Sequence, residues 1–427
     1  MSTIANWEQF KERYGTTVVT VLPEDTELTD AFPYVSDSGQ PGAAFNQPVE
    51  TSMEQGVTFN NDGSGFAINA AIDSVIQMAR LGGSEILMSG TIPYATAAQS
   101  QNPGKGNSGR AFFSAVELKM TSLAKAGGFY RELMTWYGAG TASTVAANIG
   151  VVNASVSGAN LGATQVINIT RPTWNGALWM NIAPTGLVDI YQSDGTTARD
   201  TGVTVTARTE ATNRLSLYKS GSAVTVAAGD LIVMRGAKAK QCYGVQPIFE
   251  NTGSLFGIDA STTPVWLPLS YSAGGQMTIA KLRAVGTRLS RNGLATGMVA
   301  MPGPETFNDF CDELENDQRI TDDRAARIMG PSKITVRTGA GDCVVKKSLY
   351  CKQGIMPVIG NESGAKRVGA QELAFDVANM KKFLETPVSG YASYELRMYG
   401  QNAPFVDKMA HCAMVSGITS SNDTLPA

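Results

Sequence analysis

Apolar residues recur every three or four positions along one stretch of the chain: Phe112, Val116, Met120, Leu123, Gly127, Tyr130, Met134 and Tyr137. That spacing lines one face of an α-helix. It predicts a continuous helix over 107–138, NSGRAFFSAVELKMTSLAKAGGFYRELMTWYG. Asn107 or Ser108 can cap its start, Ser114 with Glu117 makes a second capping box, and Gly138 offers a left-handed residue at its end. About thirty helical residues extend about 45 Å. Gly127-Gly128 in the middle costs roughly 2 kcal/mol against alanines, so either a neighbour packs closely there or the helix bends.

Before this helix the pattern is one of extension. Residues 1–41 join a polar, helix-like stretch between Trp7 and Tyr14 to the apolar run TTVVTVLPEDTELTDAFPYV. With too few residues to enclose a core, such an arm is stable only on another surface. In 42–99, FNQPVETSMEQGVTFNND alternates weakly and ends in the turn-forming Asn60-Asn61-Asp62-Gly63-Ser64-Gly65. Ile68, Ile72, Val75, Ile76 and Ala79 then recur at helical spacing, with Asn69 as cap and Gly82-Gly83 as stop, predicting a helix over 68–81. Ile86, Met88 and Ile92 predict a returning strand, and 97–108 has loop composition. A two-stranded ribbon of this kind is marginal alone and needs a partner surface.

After the long helix, 141–162 is rich in small residues and favours neither helix nor strand. Strands are predicted at 165–170, 186–192, 203–207, 214–218 and 231–234, separated by turns such as Ser193-Asp194-Gly195 and Lys219-Ser220-Gly221. Short strands at this spacing suggest a small barrel or sandwich inserted at 163–236. The remainder alternates. A helix over 278–292, capped by Thr278, carries Ile279, Leu282, Val285 and Leu289 on one face. A buried strand lies in ATGMVAMPG, Pro304 opens another helix, and strands flank Gly339-Ala340-Gly341. Further strands are predicted at 355–359, 372–375, 391–399 and 410–418, and the tail SSNDTLPA is read as disordered.

Composition narrows the picture. A chain of 427 residues accommodates two or three domains. Charged residues are 17%, below the usual share near a quarter, while Gly, Ala, Ser and Thr abound. This suits a β-rich protein with much of its surface covered by neighbours. With 34 basic against 37 acidic residues, net charge −3, there is no signature of a dedicated nucleic-acid binder. No apolar run approaches the roughly 18 residues of a transmembrane helix. The beginning, MSTIANWEQFKERYG, is unlike a signal peptide, so a soluble protein made in a cytoplasm is expected.

Catalytic constellations are sparse. His411 is the single histidine, in an apparent strand where Cys412 would face the other way; a buried or interface histidine is the expected role, since a triad needs partners. Cys242, Cys311, Cys343, Cys351 and Cys412 form no CxxC pair and read as small apolar residues. The acidic run Asp309, Asp312, Glu313, Glu315, Asp317, Asp322 and Asp323 lacks the EF-hand pattern and reads as a solvated or interface helix face. Gly104-Lys105-Gly106 is not a P-loop. Lys333, Arg337, Lys346, Lys347 and Lys352, with Arg283, Arg288 and Arg291, either face phosphates or pair with a neighbour's acidic helix. No catalytic, cofactor-binding or metal-binding residue is assigned.

One ordered set of segments resembles a known family. AFNQPVETSMEQGVTF, GSEILMSGTIPYATAAQ and GRAFFSAVELKMTSLAKAGGFYRELMTWYG are similar to the E-loop, returning strand and spine helix of tailed-bacteriophage major capsid proteins with the Hong Kong 97 (HK97) fold. SLFGIDASTTPVWLPLSYSAGGQMTIAKLRAVGTRLSRNG, with Asp259, Ser261 and Trp266, resembles the approach to that family's axial domain, and AGDLIVMRGA the end of an inserted β-domain. The resemblance covers 44–418 and implies an α+β, HK97-like capsid fold. It implies an N-terminal arm at 1–41, an E-loop at 42–99, and the spine helix with the first part of the peripheral domain at 107–160. An inserted small all-β domain at 163–236 follows, then peripheral continuation at 237–265, an axial domain at 266–390, and a return strand with tail at 391–427.

What the resemblance implies about function is structural. One sequence would form hexamers and pentamers that close into an icosahedral head around double-stranded DNA, the DNA being contacted non-specifically. A scaffolding protein, a portal protein and a decoration protein are the implied partners, with assembly in a host bacterial cytoplasm and no membrane. No enzyme activity and no cofactor is expected. Two alternatives remain: an encapsulin-like compartment holding a cargo enzyme, and a carbohydrate-binding surface protein using Trp174, Trp179 and Trp266. Trp174 and Trp179, five apart, would face opposite sides of a strand, which suits core packing better than a sugar platform.

Overall fold

The structure, a computed structural model, describes residues 24–36, 44–60, 63, 65, 68–82, 84–93, 109–140, 147–154, 164–318, 334–375, 384–388 and 391–420. The stretch between Trp7 and Tyr14, the caps Asn107 and Ser108, Lys105, Asp322, Asp323, Lys333 and the tail from Ser421 lie outside the described residues.

The apolar stripe forms the 29-residue helix Gly109–Tyr137. Leu133, Met134, Trp136 and Tyr137 belong to the main core, whereas Leu123 packs separately with Leu396 and Met398. Between the two, a Cβ on Gly127 would come within 2.9 Å of Leu373 Cδ2 and 3.4 Å of Met88 Sδ, while Gly128 faces open space. Close packing therefore accounts for Gly127. At the helix end, the left-handed residue is Gly140, with φ 54°, and not Gly138. Gly138 is required for a different reason. The chain at 138–140 runs against 242–244, Gly244 N–H donating to Gly138 O (2.9 Å) and Gly140 N–H to Cys242 O (3.1 Å). A Cβ on Gly138 would run into the carbonyl oxygens of Cys242 and Met134.

A five-stranded sheet lies against the long helix. It joins Tyr34–Ser36, Lys366–Phe375, Tyr391–Phe405 and Leu384–Val388, with Glu85–Pro93 antiparallel to Tyr391–Phe405. Met88, Leu396 and Met398 face the helix. The expected returning strand is thus present, but it joins this sheet rather than a ribbon.

A six-stranded sheet follows in the order Gly150–Val151, Leu231–Met234, Leu187–Tyr191, Ala198–Thr209, Arg214–Tyr218 and Gln165–Asn168. Its two edges meet: Val152 bridges Ile169, Thr170 N–H donates to Val151 O (2.7 Å), and Asn153 N–H donates to Asn168 O (2.8 Å). The sheet closes into a small barrel, which removes the free edges. Val188, Ile190, Val203, Val205, Leu215, Leu217 and Ile232 fill it. Helix Gly176–Ile182 adds Leu178, Trp179 and Ile182 to the same core. Trp174 and Trp179 do not lie on a strand. Trp174 follows a short 3-10 turn, Trp179 is in the helix, and the two buried rings stack at 6.4 Å.

The third large sheet runs Leu269–Gly275, Cys412–Ile418, Met356–Gly360, Met298–Ala300, Gly341–Val345, Ile334–Thr338. Helices Ile279–Arg291 and Pro304–Gln318 contribute Leu282, Val285, Leu289, Phe307 and Phe310 to a second core over Met298, Val336, Val358 and Val415. Thr278 caps the first helix as its sequence predicts, its hydroxyl accepting from Lys281 N–H at 3.3 Å. Cys412–Ile418 lies inside this sheet, while Lys366–Phe375 and Leu384–Val388 belong to the five-stranded one. The sheets therefore do not part at 390/391.

Candidate interaction surface

The helix predicted over 68–81 is a strand. Val75–Gly82 pairs antiparallel with Ala44–Ser52 to make the two-stranded ribbon. The register sets its two faces. Phe45 opposite Leu81, Gln47 opposite Ala79 and Val49 opposite Gln77 form one; Asn46 opposite Arg80, Pro48 opposite Met78 and Glu50 opposite Ile76 form the other. The first face lies on the protein's own body: Ala79 and Leu81 are buried, and the Phe45 ring meets Phe405 edge-on at 6.3 Å. On the second face Ile76 and Met78 stay 63% and 61% exposed. A strand apolar on both faces does not alternate, and Ile72, Val75, Ile76 and Ala79 together mimic a helical stripe.

The ribbon is pinned at its base. Arg80 N–H donates to Phe256 O (2.7 Å), and Gln77 Nε2 reaches Thr263 Oγ1 at 3.5 Å. Phe256 (φ 56°) and Gly257 (φ 87°) form a tight turn between Ser254–Leu255 and Ile258–Asp259; two consecutive positive φ values suit a two-residue hairpin turn. Trp266 is buried beside it and donates from Nε1 to Leu255 O at 3.2 Å. Towards the tip, Gln55 and Ile72 exchange backbone hydrogen bonds of 2.8 and 3.0 Å. Asn69 caps no helix: its backbone N–H donates to Thr58 Oγ1 (2.9 Å) and its side chain to Val57 O (3.1 Å). Here Met53, Val57, Phe59, Ile68 and Ile72 are exposed, Phe59 at 92% and Ile68 at 85%. Most exposed large apolar side chains among the described residues fall on this ribbon. Scattered exposed apolar residues are ordinary, but a contiguous set marks a contact surface.

Segment 346–355 joins the ribbon-bearing body to the other parts. Tyr137 OH donates to Tyr350 O (2.7 Å) and accepts from Lys352 N–H (3.1 Å). Asn175 ties the barrel in, its Oδ1 capping Gly176–Ile182 through Leu178 N–H (2.8 Å) and its Nδ2 donating to Leu349 O (2.8 Å) and Cys351 O (2.7 Å). Lys352, expected in a basic cluster, is instead 1% exposed. Its ammonium donates to Asn148 O (2.5 Å), Asn148 Oδ1 (3.2 Å) and Gln246 Oε1 (3.0 Å) and lies 4.4 Å from the Tyr137 ring centroid. Burial drives its pKa down to about 7, against the pull of Glu250. Three acceptors match the three protons of an ammonium, so this lysine is a brace and not a phosphate ligand.

The remaining chemistry-bearing residues are dispersed. His411 sits in the 3-10 turn Met409–His411 just before the strand, buried, and desolvation with Lys408 lowers its pKa. Asp309 is buried and Asp312 exposed. Glu313 accepts from Ile279 N–H at 2.7 Å, so it holds the neighbouring helix's start instead of forming part of a solvated acidic face. Arg288 stacks over Tyr271 at 5.1 Å, Arg337 lies 3.9 Å from Asp342 and Lys346 3.3 Å from Glu27. Burial pushes the Cys242, Cys343 and Cys412 thiols up to about 12. Among the described residues no group of three or more His, Cys, Asp or Glu side chains could hold a metal ion, and no helix is long and apolar enough to cross a membrane. Sequence reasoning did not single out Glu132 or Asn175, whose roles depend on partners far away in the chain.

No family model matches the chain, and no curated protein matches its sequence. Known structures do match. The chain superposes on the capsid asymmetric unit of cyanophage A-1(L) with TM-score 0.56 and 11% identity, covering 97% of this chain and 98% of that one. This is the HK97-like capsid fold. At TM-scores below 0.5 the chain also aligns with the capsid of a native GTA particle (0.48, 8% identity, 98% and 99% covered) and an encapsulin complex from Synechococcus elongatus (0.41, 8%, 99% and 97%). The ribbon falls within 42–99 and the helix Gly109–Tyr137 within 107–160.

Proposed function

We propose that this protein is the major capsid protein of a tailed bacteriophage, assembling with copies of itself as hexamers and pentamers into an icosahedral shell around double-stranded DNA. What carries the reading is the ribbon: within a capsid fold matched along nearly the whole chain, its outer face and tip expose apolar side chains that its own body leaves uncovered. Burying them takes another subunit. The role is architectural, and the dispersal of titratable groups supports a non-enzymatic reading. On this reading the virion is the protein's destination, and scaffolding, portal and decoration proteins are its further partners. The barrel would be an inserted unit, and the sheet containing Leu269–Gly275 and Cys412–Ile418 the axial one.

Sedimentation velocity of the purified protein, with electron microscopy of the fast fraction, tests the proposal. Closed shells of uniform diameter are the expected result. A discrete slow monomer under every condition refutes it. The contents then separate the readings: nuclease-protected DNA fits a phage head, whereas a co-purifying enzyme would fit an encapsulin-like compartment.

A further inference from the structure

Two helices on the third large sheet carry opposite charge. Helix Ile279–Arg291 holds Lys281, Arg283, Arg288 and Arg291 and no acidic residue. Helix Pro304–Gln318 holds Glu305, Asp309, Asp312, Glu313, Glu315 and Asp317 and no basic residue. Both bury their apolar sides in the same core, through Leu282, Val285 and Leu289 on one and Phe307 and Phe310 on the other. They meet where Glu313 accepts from Ile279 N–H at 2.7 Å, at the start of the basic helix. Arg291, at its other end, stands about 18 Å away along the axis.

The arginines face solvent without a counter-charge. Arg283, Arg288 and Arg291 are exposed, and among the described residues no ion pair reaches any of them. Lys281 turns back to Gln276 O at 2.6 Å. Arg283, Thr287 and Arg291 recur every fourth residue and so line one stripe of the helix. Arg288 is held beside that stripe by the Tyr271 ring at 5.1 Å. Arg288 and Arg291 suit the negative end of the helix dipole, but Arg283 in mid-helix does not, so the stripe as a whole answers another charge. On the acidic helix Asp309 is buried and Glu313 is used at the joint, while Asp312 is exposed.

We propose that this arginine stripe is the docking face for helix Pro304–Gln318 of a second copy of the chain. The pairing rests on the capsid reading and names a contact that would close its rings. A subunit with a positive stripe and an acidic helix on one layer joins head to tail, and such heterologous contacts close into rings when the rotation allows. Each copy then gives one acidic helix and receives one, so the counter-charge arrives at equal stoichiometry. Opposite charges across such a contact speed the encounter and fix its register more than they add affinity. DNA phosphate is the weaker occupant. The chain's net charge is −3, and a strand lying on this layer would also meet the acidic helix, with Asp312 exposed, which repels a polyanion.

Arg283→Glu combined with Arg291→Glu in the full chain tests the pairing. Light scattering against protein concentration gives the threshold at which assembly sets in. The double reversal raises that threshold about tenfold, and adding Asp312→Arg to the same chain lowers it again. In the wild type the threshold rises with salt as the Debye length shortens. Arg283→Gln with Arg291→Gln weakens that dependence, and this milder pair carries the test should the reversal spoil folding. Wild-type shells with an unchanged threshold and salt dependence in both variants overturn the pairing and leave the capsid reading standing. A wild type that stays monomeric under every condition overturns both. Failure of Asp312→Arg to restore assembly overturns the choice of this helix as the occupant. A reversed variant that assembles normally yet no longer retains a labelled DNA duplex assigns the stripe to phosphate and overturns the pairing equally.

Discussion

Replacing Ile76 and Met78 together by serine removes apolar surface from the ribbon's outer face without touching the inner one. The two side chains are 63% and 61% exposed in the single chain. Full burial of such a side chain is worth about 1.5–3 kcal/mol, so covering what remains contributes about 1–2 kcal/mol each, or about 2–4 kcal/mol per inter-subunit contact. At about 1.4 kcal/mol per factor of ten, each contact weakens by about 30- to 1,000-fold. Because a closed shell repeats the contact in every subunit, the critical concentration for assembly rises steeply. The monomer should hardly notice, since solvent-facing substitutions usually change stability by less than about 0.5 kcal/mol. Light scattering against protein concentration reads the first quantity and thermal unfolding of the unassembled subunit the second. Unchanged assembly, or a loss of monomer stability as large as the loss of assembly, would refute the assignment of this face to a partner subunit.

Other substitutions probe the interior. Gly127→Val, which must displace Leu373 and Met88, should lower stability by about 1–3 kcal/mol, whereas Gly128→Ala, facing open space, should raise it by up to about 1 kcal/mol; urea unfolding of both variants separates them, and equal effects would argue against close packing at Gly127. Lys352→Met leaves the acceptors on Asn148 and Gln246 without their donor and should destabilise by about 1–3 kcal/mol. Since the folded chain holds Lys352 at about 7 against 10.5, the unfolded state binds more protons between those values. Wild-type stability should therefore rise with pH across that window, and the methionine variant should lack the rise in pH-dependent melts. Asn175→Ala loses the cap of Gly176–Ile182 and both bonds to 349 and 351, an expected cost of about 1–3 kcal/mol, with limited proteolysis reporting whether the barrel loosens first.

How much of this could be read from the sequence depended on how local each cause is. The long helix, the Thr278 cap and the helix opened by Pro304 were legible because period and punctuation lie within a few residues of one another. The ribbon's second strand was misread because Ala79 lies on the covered face and Ile76 on the exposed one, so that apolar groups on both faces fall at helical spacing with Ile72 and Val75. Lys352 looked like a surface charge because nothing beside it signals burial; its acceptors lie 106 and 204 residues away in the chain. Glu132 likewise resembled an ordinary polar position on an amphipathic helix, with its partners 103 and 104 residues distant. The order of segments carried the fold further than any single motif, because the arm, ribbon, long helix and sheets follow one another in a distinctive succession.

The seam between 138–140 and 242–244 has an architectural consequence. The chain departs towards the barrel at Gly140 and is back at Tyr243, whose ring would be struck by a Cβ on Gly140, and Ala139 and Tyr243 are bridged across the seam. The covalent link of the barrel to the rest of the chain is this seam, and hydrogen bonds from Asn175 to Leu349 and Cys351, and from Gly354 N–H to Pro172 O (2.8 Å), supplement it. A replacement module whose termini lie a few ångströms apart could take the barrel's place without stretching the chain on either side. Its attachments to 349, 351 and 354 would have to be reproduced or capped. This chain thereby carries a ready socket for foreign domains, set at the end of the helix Gly109–Tyr137.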